Sequence, residues 1–431
     1  MCLKKKSLRR FEMSSKNSNN QHLFFVDPAL DQTYSYAQFE SDLRDPQEIA
    51  DVDSPYATIC QLVSNLVRHN DFIFENGQVA TACLASPEFT SNCDLWSSIL
   101  ESRSTIRLTT SGTTGTSKSV FHTIKTLTRG VRVGPHHEND VWALAYPIGH
   151  LSGIQVLFQA LCNRNTIVQL FGLPPEACHF AIERYSLTHL SCTPTFLKLL
   201  AGGAHSHSTV RRLTTGGERY EKSTTQTMSR LFPNAKHRNI YALTEVGNLL
   251  IANGEEFSIP AELKSLVRIM NGNLAIHQSL MAISIKPHEL RDENESFQSN
   301  QSSHEIDTEW YVTGDLVEVI SDAPLTFKFL ARDDDIINVG GYKVVPQQVE
   351  AKLIAFPAIQ QAVVFGKKNS VTGQFVVCKV VVEPGYDFDP VTIRQQLAKR
   401  LPRYAVPRVF AVVDSLPMTS TGKLSRRDDE D

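Results

Sequence analysis

From residue 22 to about residue 250, short apolar runs alternate with segments whose apolar residues recur at helical spacing. "HLFFVDPALDQTYSYAQFESDLR" predicts a short strand, a turn around Asp27 to Gln32 and a helix entered at Ser35. "SPYATICQLVSNLVRH" has a helical period, "TIRLTTSG" is a strand running into a Gly/Ser/Thr loop, and "HTIKTLTRGVR" reads as a helix. Strand, loop and helix in that order set backbone N–H groups against an anion. "DVWALAYPI", "NTIVQLF" and "THLSCTP" then read as strands, separated by the helical "SGIQVLFQALC" and "PEACHFAIERYS". Leu213 to Gly217 and Asn239 to Leu243 are further short strands ending in loops. This alternation predicts a mainly parallel sheet covered by helices, with ligands beyond the carboxyl ends of its strands.

The signal weakens between about Asn253 and Trp310, where "HELRDENESFQSNQSSHEIDTEW" reads as an exposed loop with no assignable chemistry. Past Arg332 the pattern becomes that of a compact α+β module: "YKVVPQQVEAKLIAF" a strand and a helix, "AVVFGKK" and "FVVCKVVVE" two strands, "PVTIRQQLAKRL" a helix and "RVFAVVDSL" a last strand. A chain of 431 residues exceeds what one core usually supports, so one large and one small domain are expected.

Composition narrows the function only by exclusion. With 41% apolar residues, 21% charged residues and a net charge of -3, the chain is an ordinary globular protein with no footprint for nucleic acid or an anionic membrane. The eight scattered cysteines (Cys2, Cys60, Cys83, Cys93, Cys162, Cys178, Cys192, Cys378) include no C-x-x-C pair and read as reduced, mostly buried thiols. His136, His137, His205 and His207 lack a zinc-binding spacing and read as solvated loop histidines. Residues 1–20 are basic and then polar, without the apolar stretch of a signal peptide, and predict a disordered tail. Val141 to Cys162 is apolar but broken by Pro147, Gly149, His150, Gly153 and Gln155, which favours a buried core segment over a membrane span. The expected location is the cytoplasm.

"LTTSGTTGTSKSV", residues 108–120, is the first stretch with a chemical signature. Gly112, Lys118 and Ser119 would complete a P-loop if residue 117 were glycine, but Ser117 stands there. A flexible donor-rich loop over a triphosphate fits better, with Gly112 and Gly115 among the hydroxyls of Ser111, Thr113 and Thr114. The stretch resembles the phosphate-binding signature of the adenylate-forming (AMP-binding) superfamily of acyl-CoA synthetases, luciferases and peptide-synthetase adenylation domains. "YALTE" (241–245), "YVTGD" (311–315), "ARDDDIINVGGYKVVPQQVE" (331–350) and "PMTSTGKLSRR" (417–427) match that family's later signatures in order. "YPIGHLSG" is most similar to the segment of 2-succinylbenzoate–CoA ligases and short fatty- or aryl-acid ligases.

The resemblance implies an α/β fold: a large N-terminal domain of sheets flanked by helices, here residues 21–332, and a small mobile α+β domain, here 335–431, hinged near Asp334. It implies that Thr110, Ser111, Gly112, Thr113, Thr114, Gly115 and Lys118 cradle phosphates, while Thr244 touches phosphate and Glu245 holds Mg²⁺. Gly216, Gly217 and Glu218 line the adenine beside Tyr241, Asp315 takes the ribose hydroxyls and Arg332 ribose or phosphate oxygens. Lys423 would bridge the acyl carboxylate and the α-phosphate, His150 would close the acyl pocket, and Gly340 and Gly341 would let a pantetheine thiol pass. Each residue type also has a plain structural reading: a helix cap for Thr244 and Glu245, a turn for Asp315, a hairpin for Gly340 and Gly341, a core histidine for His150 and a solvated lysine for Lys423.

The implied activity joins a carboxylic acid to ATP as an acyl-adenylate and passes the acyl group to coenzyme A. An acyl or aryl carrier protein bearing phosphopantetheine is the alternative acceptor, and a catalytically silent nucleotide-binding subunit the alternative of another class. Ser117 and Ser119 depart from the family's usual proline and glycine, Ala242 and Ala331 from glycines, and Asn338 from a lysine. About 107 residues precede the loop, fewer than the family pattern leads one to expect.

Overall fold

The computed structural model describes residues 22–44, 49, 51, 53–75, 77–80, 95–110, 118–220, 222–282, 284–287, 309–416, 419 and 424–426. The expected tail, the loop 111–117, the polar stretch 288–308 and Lys423 lie outside the described residues. The chain forms two compact units, Met1–Gly254 with Met281–Phe297, and Glu255–Leu280 with Gln298–Asp431. The second unit thus takes in strands on both sides of the expected 332/335 boundary, and its part from Ile337 onward has a core of its own.

The first unit runs β1 (Leu23–Asp27), β2 (Gln32–Ser35), α1 (Tyr36–Asp42), α2 (Pro55–Val67), β3 (Phe72–Glu75), β4 (Gln78–Val79), α3 (Leu95–Glu101), β5 (Thr105–Thr110), β6 (Lys118–Thr123) and α4 (Ile124–Leu127). It continues with β7 (Val141–Leu144), α5 (Leu151–Asn163), β8 (Thr166–Gln169), α6 (Pro175–Arg184), β9 (His189–Cys192), α7 (Pro194–Leu199), β10 (Arg212–Gly216), α8 (Lys222–Leu231), β11 (Lys236–Leu243) and β12 (Gly247–Ala252). Caps explain several helix starts. Ser35, Ser54 and Thr193 each accept a backbone N–H of the first turn, and proline occupies the first helical position after Ser54 and Thr193.

An eight-stranded sheet follows the order β12-β11-β10-β9-β7-β8-β1-β2, parallel except at its two edge strands. Successive side chains point to opposite faces, so Leu144 and Ile167 join one core with α1, α2 and α5, while Ala143 and Val168 join another with α6, α7 and α8. This is the predicted parallel sheet, and it is buried on both sides. No helix among the described residues is long and apolar enough to cross a membrane.

The second sheet, β16-β6-β5-β3-β4, with β16 at Ser284–Pro287, corrects one expectation. The segment after the Ser/Thr loop is a strand, and only Ile124–Leu127 is helical. β6 pairs along its length with β5 and again with β16, and this long-range pairing overrides the local helical appearance of "HTIKTL". The loop therefore joins two antiparallel strands, with Thr110 opposite Lys118 at its neck.

In the second unit, β13 (Glu256–Ser258), β14 (Val267–Met270), β15 (Asn273–His277), β17 (Trp310–Asp322) and β18 (Leu325–Arg332) form a sheet in the order β13-β18-β17-β15-β14. Most of these strands fall in the region where the sequence signal weakens. β19 (Ile337–Val339), β20 (Tyr342–Val344), α9 (Pro346–Ile354), β21 (Ile359–Asn369), β22 (Gly373–Val382), α10 (Pro390–Leu397) and β23 (Val409–Val412) build the α+β module. Cys60, Cys162, Cys178, Cys192 and Cys378 are free and buried, as expected. Among the histidines read as solvated, His136 is exposed, but His207 is 2% exposed, its ring bonded to His179 at 2.8 Å.

Gly153 shows how tightly α5 enters the core. A Cβ there would lie 2.2 Å from the Pro147 carbonyl oxygen, and one at Gly149 would lie 2.1 Å from that of Gly77. Helix propensity alone makes Gly→Ala favourable by about 0.5–1 kcal/mol. The backbone contact reverses the sign: Gly153→Ala should destabilise the protein by about 1–3 kcal/mol, read as a lower urea midpoint, and a stabilised variant would show that this close approach does not exist.

Candidate active site

The chain leaves β7 through α5 toward β8, and leaves the neighbouring β9 through α7 toward β10. Connections that part in opposite directions from adjacent parallel strands leave a crevice beyond their carboxyl ends. Tyr146 to His150 follow β7, Thr193 to Thr195 follow β9, Gly216 to Glu218 follow β10, and Thr244 and Glu245 follow β11. The polar motifs of the first unit are thus brought to one edge of four neighbouring strands.

Glu218 fastens two of these loops. Its carboxylate accepts the Thr195 N–H and the Thr195 hydroxyl, both at 2.9 Å, and ties the end of β10 to the start of α7. Gly217 has φ +78°, where a side chain would be strained, and a Cβ at Gly216 would lie 2.9 Å from the Ile240 carbonyl oxygen. Tyr241 is buried on β11. His150 precedes the first turn of α5, half-buried, with Nε2 3.0 Å from where a Gly77 Cβ would stand. Tyr146 is fully packed, and burial raises its hydroxyl well above its ordinary value.

His122, on β6, is a residue the sequence reading missed. Its Nε2–H donates to the Thr244 carbonyl at 2.7 Å, and the Ala282 N–H donates to the Glu245 carbonyl at 2.7 Å. The half-buried Thr244 and Glu245 side chains are thus held from behind by backbone bonds. The missed signal was β periodicity, which buries Val120 and His122 on the strand assigned as part of a helix.

In the second unit, Asp315 stands opposite Arg332 across β17 and β18, with Arg332 Nε 2.9 Å from its Oδ1. The carboxylate is 2% exposed and the guanidinium 44% exposed, so the pair is open on one side. Asp315 lies inside a long strand rather than after one, at an irregularity where Gly314 takes φ +72° and the Thr313 hydroxyl accepts the Asp315 N–H. Asp334 sits in the turn Asp333–Asp335 that leaves β18. Gly340 (φ +59°) and Gly341 (φ +88°) form the two-residue turn joining β19 to β20, which is the hairpin alternative. Arg426, three residues past Lys423, donates to Glu350 at 2.9 Å, and Glu350 also accepts the Val364 N–H, anchoring that segment to α9 and β21. Ser111, Gly112, Thr113, Thr114, Gly115 and Lys423 lie outside the described residues, as does the Thr110 side chain.

Residues 104–267 match the family model of AMP-binding enzyme, and residues 348–423 that of AMP-binding enzyme C-terminal domain. Together these segments take in more than half of the chain, which belongs to the AMP-binding enzymes and has the adenylate-forming fold. Two similar relatives are the 2-succinylbenzoate–CoA ligases of Staphylococcus aureus strains JH9 and Newman, each 28% identical over 330 residues. That alignment takes in 74% of this chain and spans 65% of the relatives' length. In structure, the chain is similar to o-succinylbenzoate CoA synthetase (MenE) from Bacillus subtilis in complex with its acyl-adenylate intermediate, with TM-score 0.63, 18% identity and 96% of both chains covered. ATP-bound MatB from Rhodopseudomonas palustris gives 0.67, 17% and 96% of both chains. The amide bond synthetase McbA from Marinactinospora thermotolerans gives 0.66 and 18%, covering 96% of this chain and 97% of that one.

Burial pushes the His122 imidazole down to about 4, against the opposing pull of the Thr244 carbonyl and Glu245. Burial moves His189 and His237 the same way. The unfolded chain, titrating near 6.5, takes up protons first as the pH falls, so stability is full above about 6.5 and is lost toward about 4. The urea midpoint should drop over that window, and His122→Gln, which keeps a donor toward Thr244, should flatten part of the slope. An unchanged slope would place His122 in solvent.

Proposed function

We propose that the protein is an ATP-dependent acid–thiol ligase that forms an acyl-adenylate and passes the acyl group to coenzyme A. The observation that carries this reading is the gathering of Gly216–Glu218, Tyr241, Thr244–Glu245 and His150 at the carboxyl ends of neighbouring parallel strands, around the point where their connections diverge. The relatives named as CoA ligases support the acceptor. The amide bond synthetase of similar fold shows that the fold by itself does not select it.

In the first half-reaction a carboxylate oxygen attacks the α-phosphorus of ATP, the bond to the β-phosphate oxygen breaks, and pyrophosphate leaves. Two anions must meet, so cationic groups carry the step. Lys118, at the neck of the Ser/Thr loop, and Lys423 are the proposed cations, with the hydroxyls and N–H groups of residues 110–115 along the phosphates. The half-buried Glu245 carboxylate is a hard oxygen donor of the kind Mg²⁺ takes beside phosphate oxygens. Bound there, Mg²⁺ would neutralise phosphate charge. Asp315, an acceptor-only carboxylate, is assigned to the ribose hydroxyls, with Arg332 beside it. The missing side chains of Gly216 and Gly217 leave backbone open to a flat base.

In the second half-reaction the thiol sulfur attacks the acyl carbonyl and AMP leaves. Asp334 is the proposed hinge between residues 21–332 and 335–431, and the Gly340–Gly341 turn the proposed path of the thiol. The proposed location is the cytoplasm, consistent with five buried free thiols among the described residues.

Carboxylate-dependent exchange of labelled pyrophosphate into ATP tests the first half-reaction apart from the acceptor. Across 2-succinylbenzoate, other aryl acids and medium- and long-chain acids, at least one acid should stimulate exchange. Lys423→Ala should lower the exchange by about 10²–10³-fold, the loss typical of a group that stabilises developing charge. Adding coenzyme A or a phosphopantetheinyl carrier to the winning acid decides the acceptor. Absence of exchange with every acid in a folded, ATP-binding protein would turn the assignment toward a silent regulatory subunit.

A further inference from the structure

The amino ends of β7 and β9 carry a second polar cluster, at the opposite end of the same strands. His137 closes the short helical turn Pro135–His137, Asp140 directly precedes β7, and His189 opens β9. Asp140 and His189 side chains are 2% and 5% exposed, His137 21%. One ligand atom of each, His137 Nδ1, Asp140 Oδ2 and His189 Nε2, lies within 4.8 Å of the others.

The Thr188 hydroxyl lies 3.2 Å from the Val141 carbonyl and 2.9 Å from His189 Nδ1, and a metal takes the tautomer in which that hydroxyl accepts from Nδ1–H. His189 Nε2 then carries a lone pair, is buried and has no hydrogen-bond partner. It lies 3.5 Å from Asp140 Oδ2, which His137 Nδ1 also approaches at 2.8 Å. A metal ion among the three takes an electron pair from each.

We infer that His137, Asp140 and His189 form a binding site for one divalent transition-metal ion of the zinc type, distinct from the nucleotide site. Two imidazole nitrogens and a carboxylate oxygen are a common three-ligand set for zinc, with a fourth place for water. Bonds of about 2.0–2.2 Å in a tetrahedron separate donors by about 3.3–3.5 Å, against the 2.8 Å from His137 Nδ1 to Asp140 Oδ2 and the 3.5 Å from His189 Nε2. On binding, the His137 proton moves from Nδ1 to Nε2 and the metal takes its place. The supporting contacts are those of a metal site: the Thr188 hydroxyl lies 2.9 Å from His189 Nδ1, Arg211 lies 3.5 Å from Asp140 Oδ1, and Asn165 donates to the His137 carbonyl. The ion would tie the turn to two strands of the sheet, a structural role.

The test uses the full chain, stripped with chelator and dialysed against zinc. About one equivalent should bind per chain, raising Tm, and Co²⁺ should give tetrahedral d–d bands without thiolate charge transfer. His137→Ala and His189→Gln should each weaken zinc binding by at least about tenfold and lose the zinc-dependent rise in Tm. Failure of the parent to retain zinc, a thiolate band with Co²⁺, or undiminished binding by His137→Ala would overturn the proposal. His137 is the outermost ligand, so its variant decides should His189→Gln not fold, and the Co²⁺ spectrum of the parent needs no variant.

Discussion

The parallel pairing of β7 with β9 governs the rest of the first unit. Trp142 opposes His189, Ala143 opposes Leu190 and Leu144 opposes Ser191. Strands this short leave no freedom of register, because a shift by one residue would turn Leu144 out of one core and Ala143 out of the other. With the register fixed, the chain must leave β7 toward β8 and β9 toward β10, and the crevice between those exits follows from connectivity. The tight packing of α5 has the same origin. Six residues join β7 to the helix, and they pack so closely that Gly149 meets the Gly77 carbonyl and Gly153, in the first turn, meets that of Pro147, where only glycine fits.

This constraint explains why "YPIGHLSG" has its form. The glycines admit neighbouring backbone, and His150 is left at the helix start, half-buried with its ring against Gly77. Glu218 shows the same economy at the next strands. One carboxylate accepts both donors of Thr195, and the loops after β9 and β10 become one rigid wall. Rigid placement of loops beyond strand ends is what the proposed joining of two anions would require.

Most of the parallel sheet was legible because its strands are short apolar runs separated by helical segments, with Thr193 capping the helix after β9. The motif residues were legible because their types match the chemistry of phosphate, metal and ribose. β6 was not, since six residues beginning "KSVFHT" take their conformation from partners on both sides that no local window contains. β14 and β15 were hidden for a related reason: they are strands of few residues, β14 at the sheet edge on β15, and β15 paired with β17 across a long polar insertion. His122, Glu350 and Arg426 escaped because each acts through a distant partner, and a single sequence does not reveal pairings 76 or 122 residues apart.

The two ends of β7 and β9 pose opposite electrostatic problems. At the carboxyl ends the loops carry hydroxyls, N–H groups and glycines, and the carboxylates there, Glu218 and Glu245, are half-buried rather than fully enclosed. At the amino ends Asp140 is buried, and a buried carboxylate needs full compensation. Arg211 approaches one of its oxygens, at 3.5 Å, from an exposed side chain, while the other accepts from His137 Nδ1 at 2.8 Å and lies 3.5 Å from His189 Nε2. What hydrogen bonding leaves unmet there is the buried His189 Nε2, and a cation bound among His137, Asp140 and His189 would meet it at the end of the strands away from the crevice.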